Sequence, residues 1–261
     1  MDNDKLKSRL KEKSQALKSE PEERITTMST ELTPVESGYV ALTTNALEII
    51  NENLKSQSLS PSLIDTVKSP SGGTTAFTVP SITGDEIEKE LVGIILDYCT
   101  PRAYWDTPDP VEGTPPICYS RDSIISHDGK ACNQCLYNEF GSKDNGNGDS
   151  NGKACKESVE LYLLRPDNII PLIVRVPVSS KNLFLKYATR LVGSLTPISS
   201  VVTKITLEKA TNKTGQPYCT YNFEAISKLS PDEAINAKAF SQKLVEMLST
   251  APIEPVIVEA A

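Results

Sequence analysis

Residues 201–226 read VVTKITLEKATNKTGQPYCTYNFEAI, and this stretch decides the fold. Val201–Lys209 and Gln216–Ile226 are rich in β-branched and aromatic residues. They flank the turn sequence TNKTG at Thr211–Gly215, so the spacing predicts a β-hairpin. In the second run Cys219, Tyr221, Phe223 and Ala225 fall on one face, expected to be core. Tyr218, Thr220 and Asn222 fall on the other.

Working upstream, Leu183, Phe184, Tyr187 and Leu191 recur at helical spacing, with Lys181, Lys186 and Arg190 off that stripe. A helix over 180–192 is expected, capped by Ser179 or Ser180 and ended by Gly193. Before it, Val159–Leu164 (VELYLL) and Ile169–Val176 (IIPLIVRV) read as strands joined by a turn at Arg165–Asn168. Pro171 marks the second as an edge or a bulge. Glu88–Tyr98 (EKELVGIILDY) reads as the first strand, well buried. The order is strand, long insertion, two strands, helix, two strands. A five-stranded OB barrel also carries its helix between the third and fourth strands. The expectation is a mainly β domain (α+β overall) with an OB-like five-stranded barrel over 85–228 and flanking helices.

Downstream, Ser230-Pro231-Asp232-Glu233 is a helix start, with Ser as cap and Glu at the third helical position. Ile235, Ala239, Phe240, Leu244 and Leu248 form the expected apolar face, so 229–261 reads as a helix and a loose tail. Residues 1–84 read as a helical or disordered extension. It comprises a charged helix over 3–19 with Leu6, Leu10 and Leu17, a second helix over Ala46–Leu54, and a Ser/Thr/Pro/Gly-rich linker over 56–84.

The long insertion, at about 113–157, holds Cys118, Cys132, Cys135 and Cys155, spaced C-x13-C-x2-C-x19-C. A C-x2-C turn lets two thiolates reach one ion, and four soft ligands suit structural zinc. The intervening sequence is rich in Gly, Asn, Asp and Ser and cannot build a core, so a metal supplies the missing stability. His127, the only histidine, is the alternative ligand to Cys118. Cys99 and Cys219 lie in expected strands and read as ordinary core residues. A redox C-x-x-C would sit beside a βαβ unit, which is not indicated.

No P-loop, G-x-S-x-G or His-Glu motif is present, and a four-thiolate zinc has no open position for water, so no enzyme is expected. No apolar run approaches the length of a membrane span, and a cytoplasmic protein is expected. The net charge of -7 is unevenly spread. Residues 85–152 carry 5 basic and 13 acidic groups (-8), whereas residues 153–228 carry 11 and 5 (+6). A local basic block matters more to a binding groove than the sum.

Cys118-Tyr119-Ser120, CNQCLYNEFGS at 132–142 and GKACKE at 152–157 resemble proteins from replication modules of tailed phages and prophages. So do PLIVRVPVSSKNLFLKYATRL at 171–191 and VVTKITLEKATNKTGQPY at 201–218. The resemblance covers about 85–228. It implies the architecture of phage single-stranded-DNA-binding proteins, OB folds with a zinc subdomain. It also implies a role in replication, recombination or repair, partner proteins from those processes, and a bacterial host cytoplasm. The chain departs from that pattern in its all-cysteine ligand set and its only mildly acidic tail.

Single strands are bound by basic grooves with aromatic platforms, because stacking tolerates any base. The candidates for that role are Tyr104, Trp105 and Tyr218, with Lys181, Lys204, Lys209 and Lys213 for phosphates. The rival expectation is a zinc-stabilised interaction or scaffold module that binds protein, which the net acidity favours. A metal hydrolase would need carboxylates around an open metal site, and the sequence offers none. Clustering of Tyr104, Trp105 and Tyr218 in one basic groove would favour nucleic acid, and scatter would favour the scaffold.

Overall fold

The computed structural model describes residues 34–250, apart from 36–37, 44, 56, 58, 68–69, 71–72, 108–113, 144–151 and 213–214. The helix expected over 3–19, the tail 251–261 and Lys213 lie outside the described residues.

The described chain begins with β1 (Pro34–Val35), α1 (Val40–Thr43) and α2 (Ala46–Leu54). Three short strands follow: β2 (Thr66–Val67), β3 (Phe77–Val79) and β4 (Glu86–Glu88). The first long strand is β5 (Glu90–Cys99), and the insertion adds β6 (Arg102–Tyr104) and β7 (Cys118–Ser120). Then come β8 (Lys156–Leu164), β9 (Leu172–Pro177) and α3 (Val178–Gly193). The hairpin β10 (Val201–Thr211) and β11 (Pro217–Leu229) leads to α4 (Pro231–Thr250).

The fold is mixed α+β around a strongly curled, half-barrel sheet. Its five long strands lie in the order β9–β8–β5–β10–β11, and every neighbouring pair is antiparallel. The hairpin forms as its alternation dictates, with Ile205 opposite Phe223 and Leu207 opposite Tyr221. Cys219, Tyr221 and Phe223 are buried, while Tyr218 and Asn222 are exposed. Strand β9 begins just after Pro171, and among the described residues its outer edge pairs only with the two-residue β2, in parallel. Among the described residues β9 and β11 do not pair with each other. Helix α3 packs against both instead.

That helix corrects one expectation. Pro177 occupies its capping position, no side chain caps it, and Ser180 is fully buried. The Ser180 hydroxyl accepts the Tyr221 N–H at 3.0 Å, which ties α3 to a buried backbone donor of β11. Demand from a buried backbone group overrides the capping preference here.

Both faces of the sheet are covered, which is why VELYLL shows no polar alternation. On one face Phe184, Tyr187 and Leu191 of α3 meet Leu91, Ile95, Val159, Leu161, Leu163, Ile205 and Phe223. On the other, Ile94, Leu96, Tyr162, Leu164 and Ile173 meet Tyr39, Ala46 and Leu59 and the stripe Ala237, Phe240, Leu244 and Leu248 of α4. Each fully buried side chain of this kind contributes about 1.5–3 kcal/mol. Glu160 is buried in β8, where it pairs with Arg175 at 3.0 Å.

The linker expected over 56–84 is corrected. Leu59, Ile64, Val67, Phe77 and Val79 are buried, and β3 pairs with β4 through Phe77 opposite Glu88. The Phe77 ring meets Tyr221 edge-on at 5.7 Å. A few well-spaced apolar anchors suffice to dock a chain whose composition otherwise reads as linker. No boundary therefore falls at 84–85, and α2 and α4 belong to the same body. The Ser230 and Glu233 cap forms, with the Ser230 hydroxyl donating to the carboxylate at 2.8 Å. The stripe of α4 is rotated from the expected one: Ala237 is buried, and Ile235 and Ala239 face solvent.

Candidate functional site

The insertion leaves β5 and returns into β8. Strand β6 anchors it by pairing with β8 at Arg102–Glu157 and Ala103–Lys156, and with β7 at Arg102–Ser120 and Tyr104–Cys118. After β7 the Asp122 carboxylate accepts the N–H groups of Ile124 (2.8 Å) and Ile125 (3.1 Å), closing a turn. Two 3-10 turns, Cys132–Gln134 and Leu136–Asn138, meet at Cys135 and present the C-x2-C pair. The Cys155 N–H donates to the Tyr137 carbonyl at 2.8 Å, bringing the last cysteine back to this turn.

All four cysteines line one cavity of about 660 Å³, together with Arg102, Asp128 and Asn138. Their sulfurs are not drawn to coordination distance as a set. The group whose donor atoms lie within 4.8 Å of one another is Cys118, His127 and Asp128. His127, expected only as a substitute for Cys118, therefore stands beside it. Its ring stacks on Tyr119 at 4.5 Å, and its Nδ1 accepts the Tyr119 N–H at 3.4 Å.

Burial pushes the Cys155 thiol up to about 11; Arg102 pulls it down and the three neighbouring thiols oppose that pull. Burial also raises Cys118, reinforced by Asp128 and the adjacent thiols. The Lys130 ammonium and the Ser126 hydroxyl hold Asp128 down at about 2. Without a cation Cys118 and Cys155 favour the neutral thiol, and a divalent cation reverses that balance. Arg102 donates from Nη2 to Glu157 at 2.9 Å and from Nη1 to Asn138, while its Nε is buried with no hydrogen-bond partner.

Among the described residues, the expected nucleic-acid candidates do not form one groove. Trp105 is 6% exposed, and its indole N–H donates to the Thr114 carbonyl at 2.9 Å. It is packed as a core side chain with no face free for a base, which corrects that expectation. Tyr104 stacks on Tyr137, with centroids 3.9 Å apart and planes at 15°. Lys181 is paired with Glu157, and Lys204 with Glu224 at 2.7 Å, so neither offers a free charge to a phosphate. Lys209 and Tyr218 are exposed near the hairpin turn. They lie beyond the start of β5, where Thr206 pairs with Glu90, whereas Tyr104 follows its end. At roughly 3.3 Å per residue the length of β5 separates them by roughly 30 Å.

Sequence reading missed Phe140, which is 81% exposed, with the Lys153 ammonium 4.7 Å from its ring centroid. The signal was there: Leu136, Tyr137 and Phe140 are large apolar residues in an otherwise polar segment. No helix among the described residues is long and apolar enough to cross a membrane. No family model, curated protein or solved structure matches the chain.

Proposed function

We propose that this chain is a single-stranded-DNA-binding protein of DNA replication, recombination or repair, built on an OB-like domain stapled by one zinc ion. The carrying observation is connectivity. The strand order β9–β8–β5–β10–β11, with α3 between the third and fourth strands, follows an OB barrel that lacks its closing strand pair. The cysteine insertion is then the loop after the first strand, and 212–216 the loop after the fourth. Those are the loops with which OB domains bind oligonucleotides. Because both faces of β8 and β9 are covered, binding falls to these loops.

The donor chemistry fits zinc: four soft thiols on one cavity, in a segment without an apolar core of its own. The buried, unpartnered Nε–H of Arg102 lines that cavity and is a suitable outer partner for a thiolate. Cys118, Cys132, Cys135 and Cys155 would hold the ion, which would join β7, the C-x2-C turn and the arm entering β8. Cobalt substitution tests the ligand set. Intense sulfur-to-cobalt charge transfer lost stepwise with each Cys→Ser change supports four thiolates. A weak band lost only with Cys118 and His127 changes means the Cys118, His127 and Asp128 set instead.

Titration with single-stranded oligonucleotides over a range of salt tests the function. Counterion release gives a steep slope where phosphates are neutralised. The scaffold reading is favoured by the exposed Ile117, Ile124 and Leu136 on the insertion and by the pairing of Lys181 and Lys204. Absence of binding at low salt overturns the DNA reading and puts the scaffold in its place.

A further inference from the structure

The chain has five phenylalanines. Phe77, Phe184, Phe223 and Phe240 are at most 9% exposed, whereas Phe140 is 81% exposed. Its surroundings are built rather than loose. The N–H groups of Gly141 and Lys143 both donate to the Gly152 carbonyl, at 3.0 and 3.1 Å. The Ala154 N–H donates to the Ser142 hydroxyl at 2.9 Å. These bonds tie the arms 141–143 and 152–154 together, and Gly141 makes the turn possible with a φ of +89°.

Lys153 lies over the Phe140 ring and is held there by a 3.0 Å hydrogen bond to the Asn138 side-chain oxygen. Among the described residues neither Lys153 nor the exposed Lys143 has a carboxylate partner. The lobe thus offers an aromatic ring with a cation on one face, a second ammonium on the adjoining arm, and most of the ring open to solvent.

We infer that this lobe is a base-stacking subsite for single-stranded nucleic acid, with Phe140 as the platform and Lys143 and Lys153 as phosphate partners. The inference rests on the single-stranded-DNA reading and places its contact in the loop after the first long strand. A fixed cation on one face presents the other face for a base, and stacking on a single ring is tolerant of sequence. The two ammonium groups place local positive charge beside the ring, within a stretch that is acidic as a whole and next to the exposed Glu139. A purely apolar protein partner would not use that charge.

The full-length chain is titrated with a thymidine oligomer carrying one 2-aminopurine, read by affinity and by quenching of the base analogue. The wild type is expected to bind and quench. Phe140→Ala is expected to bind about ten-fold more weakly, lose the quenching and keep the salt slope, with Phe140→Trp restoring both. Lys143→Ala with Lys153→Ala is expected to reduce the salt slope by about 1.4 while affecting all sequences alike. Because Phe140 is so exposed, its alanine variant should melt with the wild type. Wild-type binding and quenching that survive Phe140→Ala overturn the subsite and leave the DNA reading standing. A wild type that ignores single strands at low salt overturns both.

Discussion

Arg121, just after β7, donates from Nη1 to the carbonyl of Leu248, 3.0 Å away in the last turn of α4. Its Nη2 donates to the Tyr162 hydroxyl at 3.3 Å. A cation at a helix C-terminus satisfies an orphan carbonyl and opposes the negative end of the helix dipole. Arg121→Ala is expected to lower unfolding stability by about 1.5–3 kcal/mol, measured in urea, with Arg121→Lys recovering part of it. Stability unchanged in the alanine variant would show that the contact contributes nothing.

Gly93 sits where β5 passes β8 too closely for a side chain. A Cβ there would stand 2.4 Å from the Leu164 carbonyl and 2.9 Å from the Leu163 side chain. Gly93→Ala should therefore destabilise by about 1–3 kcal/mol through overpacking, seen as a lower denaturation midpoint.

Trp105 is the only tryptophan, and its burial makes it a folding probe rather than a DNA contact. Its emission should be blue-shifted in the native protein and shift to the red in urea. Trp105→Ala should cost about 3–5 kcal/mol of stability. An alanine variant that folds normally but loses DNA affinity would reverse this assignment.

Metal removal should loosen the insertion before the body. Ile117, Ile124, Leu136 and Phe140 are exposed there, so little apolar burial holds that segment, while both cores lie outside it. Chelation, or Cys132→Ser, is expected to open 118–155 to limited proteolysis and leave the remaining chain protected. Metal analysis should give about one zinc per chain.

Asp122 has a carboxyl held below its usual range. Burial alone would raise it, but the N–H groups of Ile124 and Ile125 and the Ser120 hydroxyl outweigh that. A depressed folded value means that this contribution is present above about pH 3.9 and is lost as pH falls through the folded value. Protection of the Ile124 and Ile125 amides, relative to their intrinsic exchange rates, should fall across that acid range, and Asp122→Asn should remove this pH dependence.

Much of the body was legible because its signals are local. The alternation in 201–226, the stripe through Phe184, Tyr187 and Leu191, and the Ser230–Glu233 cap each specify an element without reference to the rest of the chain. The segment 56–84 was misread because its five anchors are diluted by Ser, Thr, Pro and Gly. Their burial depends on partners such as Tyr221, more than a hundred residues away. In the candidate site the four cysteines stood out by spacing. The juxtaposition of Cys118 with His127 and Asp128 depends on how the loop after β7 folds back.

The sequence by itself determined the order of the five long strands and of the helices α3 and α4, the hairpin and its two faces, and the confinement of four thiols to one polar insertion. These follow from periodicity and short-range chemistry. Tertiary structure alone decided which residues remain accessible. It buried Trp105, paired Lys181 with Glu157 and Lys204 with Glu224, put α3 between β9 and β11, and left Phe140 in solvent beneath Lys153. Exposure and ion pairing are set by elements distant in the chain, so no local pattern carries them.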